Sequence, residues 1–386
     1  MDEKRSNGYS LLIVIFVALG SLTFGYSNVI IGTTLAQPTF ISYFGLDNSS
    51  KSNAIQGATS GIYTGGGLIG ALVSSWVAER LGRKKAILVG ALLATIGGAL
   101  QSGSVAMAMF LVFRFVNGLG VGMLLPLVPL YQSEVSAPHS RGLMVGFHGI
   151  CVTLGYFGAS WIGYGFYWVD ALNGAQWRLP LAIQAIPPLF CAVGIMFLPE
   201  SPRWLISQDR SEESLDIVKK LHSHPSDPEH IFAFQEFQQI RQQLEIDRQN
   251  AVSWVGLFKK PSYRKRMIIG FIVLFGAQTT GTTVIANYGP ALYSTLGFDT
   301  SKQLLLTAVY ATVALVGNFF NAFTIDRIGR VKALKIGWIG DILALIGEIV
   351  SLSKFETSGS RPTAIASVFF LFMHIAFFAF NIDVTT

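Results

Sequence analysis

Glu79-Arg80-Leu81-Gly82-Arg83-Lys84-Lys85 returns later in the chain as Asp326-Arg327-Ile328-Gly329-Arg330-Val331-Lys332. Both copies read acid-Arg-x-Gly-Arg, and both stand between long uncharged stretches. Glycine permits a tight connection, and the acid and arginines can pair across a seam between helices, closing a gate. A plain basic topology turn would explain Arg and Lys but not the acid, the Gly or the recurrence. The first copy follows the second apolar stretch and the second copy follows the eighth, so six stretches separate them. A parallel repeat of six-helix halves is a transporter architecture, with the solute site between the halves near the bilayer midplane.

Working outward from the repeat, the chain has 386 residues, 51% hydrophobic and only 13% charged, with a mean hydropathy of +0.49. That is a membrane composition. A crossing needs about 20 apolar residues, and the charge-free gaps supply them. No charged residue lies between Arg5 and Asp47, Lys51 and Glu79, Arg141 and Asp170, Arg178 and Glu200, Arg266 and Asp299, or Lys302 and Asp326. The run from Lys85 to Glu134 is broken only by Arg114 and is long enough for two crossings. Adding a span that carries Asp341 and Glu348 and a last one from Pro362, the sequence predicts ten helices. Most Lys and Arg fall on one side if the N-terminus is cytoplasmic, the positive-inside bias. The glycosylation sequon at Asn48 then lies outside.

The net charge of +6 therefore reports topology, and no nucleic-acid motif accompanies it. Cys151 and Cys191 sit within predicted spans, which argues against a disulfide framework. The chain divides into a cytoplasmic N-tail at 1–10, a six-helix bundle at 11–199, a polar linker with short helices at 200–265 and four further helices at 266–386. At Leu198-Pro199-Glu200-Ser201-Pro202-Arg203 two prolines and two charged residues mark the exit from the first bundle.

Arg114 costs about 2.5–3.5 kcal/mol inside a span. It either bonds carbonyls of neighbouring helices or faces the pathway. Span seven carries Gln278-Thr279-Thr280-Gly281-Thr282-Thr283, then Asn287-Tyr288 and Pro290. Uncharged donors and acceptors near one helical face suit a polyhydroxylated solute, and interhelical hydrogen bonding is the other reading. Asp341 and Glu348 lie two turns apart on span nine, as proton carriers or as structural acids. His148 reads as a hydrogen-bonded interior histidine. No metal spacing, nucleophile triad or cofactor loop is present, so neither an enzyme nor a metal or cofactor is expected.

Together these motifs resemble the sugar porters of the major facilitator superfamily. The resemblance rests on Phe24-Gly25-Tyr26, the two charged turns, Arg114-x3-Gly118-x-Gly120-x-Gly122 and Pro129-x-Tyr131-x2-Glu134-x3-Pro138-x2-Arg141-Gly142. It also rests on Trp177-Arg178-x-Pro180, Pro199-Glu-Ser-Pro-Arg203 and Gln278-x2-Gly281. Gln37-Pro38 and His148-Gly149 resemble fungal members. The resemblance implies an all-α membrane protein with the major facilitator fold, in the plasma membrane, that moves a hexose or similar small sugar by alternating access. It implies sugar contacts at Gln278, Thr283, Asn287 and Tyr288 with Phe24 as an apolar wall. Pathway or coupling roles would fall to Arg114, Ser27, His148 and Asp341. A cytoplasmic gate would comprise Glu79, Arg80, Arg83, Glu134, Arg141, Glu200, Arg203, Asp326, Arg327 and Arg330.

Departures from the family pattern refine these expectations. Proton-coupled members carry Asp where this chain has Ser27, and Ser cannot titrate in the physiological range. Facilitated diffusion follows as the expectation. Gly149, Ala277 and Thr283 replace an expected Gln, Gln and Asn. The family has twelve spans, whereas this chain stops at Thr386, so a shortened C-terminal bundle of about four helices is expected beside the complete six-helix one. The competing expectation is a sugar sensor or truncated pseudotransporter without turnover. Besides the sugar and the lipid bilayer, the sequence implies no partner.

Overall fold

Gly82 and Gly329 each form a one-residue joint between two long helices, with φ of +93° and +84°. Only glycine enters that region without penalty, which is why the repeated motif keeps Gly there. The computed structural model describes residues 8–46, 49–136, 141–169, 174–221, 230–249 and 254–383, without the side chains of 49–51, 141–145, 254, 255, 257 and 326. Asn48 and the side chains of Arg141 and Asp326 therefore lie outside the described set.

Among the described residues, nine helices are long and apolar enough to cross a membrane. They are span one (Gly8–Leu35), two (Ser52–Leu81), three (Arg83–Ser102), four (Met107–Val135), six (Ala175–Ile195), seven (Pro261–Thr295), eight (Thr300–Ile325), nine (Arg330–Ser358) and ten (Arg361–Asn381). Arg141–Phe166, a 26-residue helix packed between spans one and eight, takes the fifth place. Two helices expected in the linker appear as Ser211–Leu221 and Ile231–Gln249.

The surface is apolar and the interior carries amides, the inverse of a soluble domain. Leu72 and Phe197 are 70% and 82% exposed. Asn117 Nδ2 donates to the Ala94 carbonyl (3.0 Å) and Gln132 Nε2 to the Val14 carbonyl (3.0 Å), tying spans four to three and one. Without a hydrophobic drive between helices in lipid, close packing and such bonds hold them together. Gly118, Gly120 and Gly122 supply the closeness. A Cβ at any of them would overlap backbone of span two or three.

The exit stretch behaves as its residues dictate. Ser201 caps the helix Pro202–Ser207, its Oγ accepting from the Trp204 N–H at 3.2 Å, with Pro202 at the first helical position. Trp204 Nε1 then donates to the Glu79 carbonyl at 2.9 Å, so the exit is strapped to the first charged turn.

Candidate functional site

Span seven is not one helix. It runs Pro261–Thr279, breaks at Thr280-Gly281, and resumes as Thr282–Thr295. Gly281 sits at φ +81°, where other residues are strained. The expected polar face is thus split at Gly281, with Gln278 and Thr283 on different pieces. The fold at Gly281 still brings them together, Thr283 Oγ1 donating to Gln278 Oε1 at 3.2 Å. A break inside a membrane frees backbone groups that need partners. The Thr280 carbonyl finds one in His374 Nε2 of span ten, at 3.0 Å. A carbonyl only accepts, so His374 carries its proton on Nε2.

Beside this break lies a cavity of about 100 Å³ at the seam between the halves. Asn28 of span one and Tyr156 and Ser160 of span five reach it from the first half. Gln278, Thr282, Thr283, Tyr293, Thr307, Tyr310 and Asp383 reach it from the second, with Ile375 and Phe378 as apolar wall. Hydroxyls, amides and aromatic rings in a concave site can grip a small polar solute from several sides.

Toward the face away from the charged turns the two halves touch. A Cβ on Gly32 of span one would stand 2.7 Å from the Asn287 carbonyl oxygen of span seven. Trp161 Nε1 of span five donates to Thr312 Oγ1 of span eight at 3.0 Å. At the charged face, no ion pair joins the halves among the described residues.

The expected site residues divide by place. Gln278 and Thr283 line the cavity; Asn287 stands at the contact between the halves instead, and Tyr288 and Phe24 do not reach the cavity. Phe24 packs against the first bundle's core. Arg114, 1% exposed, donates to the Ser27 carbonyl at 2.8 Å and lies 3.9 Å over the Tyr63 ring. His148 Nδ1 meets Ser21 Oγ at 2.8 Å. Asp341 is 2% exposed, and neither carboxyl oxygen has a hydrogen-bond partner among the described residues. Asn28, Tyr156, Tyr310, His374 and Asp383 were not singled out from sequence. Asn28 closes the Gly-Tyr-Ser-Asn segment of span one, and that polar interruption was its signal; Asp383 stood in the last residues as a charge after an apolar run.

The charged turn forms its contacts within the first half. Arg83 grips Glu134 bidentately, Nε to Oε2 at 3.0 Å and Nη2 to Oε1 at 3.1 Å. Glu200 Oε1 accepts from the Lys84 and Ser201 N–H groups at 3.1 and 2.9 Å. Burial still pushes the Glu200 carboxyl above its usual range. Arg80 covers the Trp76 ring at 4.4 Å, and Arg203 pairs with Asp247 of the linker at 2.6 Å. Arg327 and Arg330 are exposed.

A family model described as "Sugar (and other) transporter" matches residues 13–384. The MFS-type transporter criB of Aspergillus cristatus is 32% identical over 372 residues, 95% of this chain and 78% of that protein. A probable quinate permease of Neosartorya fischeri is 30% identical over 395 residues, 96% of this chain and 72% of that one. The partially occluded inward-open conformation of the xylose transporter XylE from E. coli superposes with a TM-score of 0.81 at 24% identity, over 98% of this chain and 86% of that chain. The chain thus spans 72–86% of the length of these proteins.

Proposed function

Because the chain belongs to the sugar porter family of the major facilitator superfamily, we propose that it carries a hexose or similar small sugar across the plasma membrane by alternating access. The observation that carries this reading is the cavity at the seam, lined by polar groups from both halves, with the halves in contact on one side of it. Gln278 and Thr283 orient the solute, and Asn287 and Tyr288 follow with the moving outer piece of span seven. The N-terminus is cytoplasmic, which places the basic charges inside. The Arg83–Glu134 clasp and the Glu200 strap hold the first half of the inner gate together while the halves rock, with Arg327 and Arg330 facing them when the gate closes.

Transport is by facilitated diffusion. Arg114 is occupied by a backbone carbonyl and a tyrosine ring, and Ser27 offers no titratable group beside it. Reconstituted protein is expected to exchange labelled D-glucose or D-xylose without moving protons. Sugar-driven alkalinisation that disappears in D341N would replace diffusion with symport. Saturable binding with no flux for any sugar would favour the sensor instead.

A further inference from the structure

Among the described lining residues the cavity has one carboxyl group and no basic one. Asp383, just past the end of span ten, accepts a hydrogen bond from Asn318 Nδ2 at 2.6 Å and faces the cavity beside Tyr156 and Tyr310. No Lys, Arg or His stands among the described lining residues. Arg114, which donates to the Ser27 carbonyl and covers the Tyr63 ring, and His374, which donates to the Thr280 carbonyl, do not line the cavity. A solute carboxylate entering here would lose its water and find no counter-charge, and an unpaired buried charge is the costly case. A solute carboxylate would also stand beside the Asp383 carboxyl, and two carboxyls sharing a site cannot both ionise without cost, whereas a solute hydroxyl can hydrogen-bond that carboxyl in either protonation state.

We propose that Asp383 is a specificity-determining residue that makes the site accept neutral polyhydroxylated solutes and reject hydroxy acids of the same shape. This rests on the transport reading above and narrows it. It separates this chain from relatives whose names state an acid substrate, such as quinate.

The test uses size-matched pairs differing only in CH2OH against carboxylate: D-glucose with D-glucuronate, D-galactose with D-galacturonate, D-glucitol with D-gluconate. Binding to the purified protein is measured by calorimetry, and flux in proteoliposomes. At least one neutral member is expected to bind with its acid partner about 100-fold or more weaker, and D383N to shrink that gap about tenfold or more. An acid that binds as well as its neutral partner overturns the inference while leaving transport standing. A gap unchanged in monodisperse D383N removes Asp383 as its cause; D383S decides the same point if D383N does not fold. If no member of any pair binds or moves, the sugar-transport reading itself falls and takes the inference with it.

Discussion

Gly32→Ala tests whether the contact between spans one and seven is a closure and not merely a packing accident. The added Cβ would lie 2.7 Å from the Asn287 carbonyl oxygen and 3.3 Å from its carbon, several tenths of an ångström inside ordinary contact. Its neighbour is backbone, which cannot rotate away. Overpacking of this kind costs about 1–3 kcal/mol. That cost falls only on the state in which the two spans touch, so the balance between closed and open states shifts about 5- to 150-fold. A cysteine placed at Ser160, which lines the cavity, in a background lacking Cys151 and Cys191, reports access from the face beyond Gly32. G32A is expected to speed labelling from that face and slow net sugar uptake. Gly25 provides the contrast. Its Cβ would overlap the Val152 carbonyl inside the first bundle, so G25A should lower thermal stability without redistributing access. Labelling and uptake unchanged in G32A would refute the reasoning.

Arg83→Lys replaces a bidentate fork by a point charge on the largely buried Glu134, and about 1–2 kcal/mol of stability should be lost, read as a lower Tm in detergent. His374→Leu leaves the Thr280 carbonyl without its donor and should cost about 1–3 kcal/mol, with H374Q recovering part of it; an unchanged Tm in H374L would show that the break holds itself. For Glu200, burial raises the folded carboxyl above its unfolded value. The folded state then binds the proton more readily, so the stabilisation is present below the unfolded value and lost as pH rises through the folded one. The Tm difference between wild type and E200Q should therefore move against wild type as pH rises, and a flat difference would contradict it.

What the sequence made legible was whatever a charge or a glycine had to announce. The two turns were readable because Gly82 and Gly329 need positive φ and the charges cannot enter hydrocarbon. The spans were readable because lipid leaves their outward faces apolar. The site was only half readable. Gln278 and Thr283 stood out as polar residues in an apolar run, yet their shared surface comes from the break at Gly281, which breaks the helical period on which a face is assigned. Tyr156 and Tyr310 look like ordinary span aromatics, and only the packing of spans five and eight turns them to one cavity. Arg114 left two readings open because a buried guanidinium can be satisfied by carbonyls and rings that no motif specifies.

Span seven gathers these threads into one piece of chain. Gly281 has open space where a Cβ would go, so its cost on substitution is conformational alone. On one side of it Gln278 faces the cavity; on the other Thr283 does, and one turn further Asn287 meets Gly32. The break, the two cavity-lining residues and the contact with span one thus lie within ten residues of one another on the same chain. A solute held by both Gln278 and Thr283 bridges the two pieces of span seven, and any preference it has for one angle at Gly281 is felt directly at Asn287. Binding can bias closure only through a difference in affinity between the two states. On the proposed reading the outer piece would carry a solute contact and the closure together, which gives that difference a short mechanical route, and His374 would hold the inner piece's last carbonyl in place if the outer piece moves.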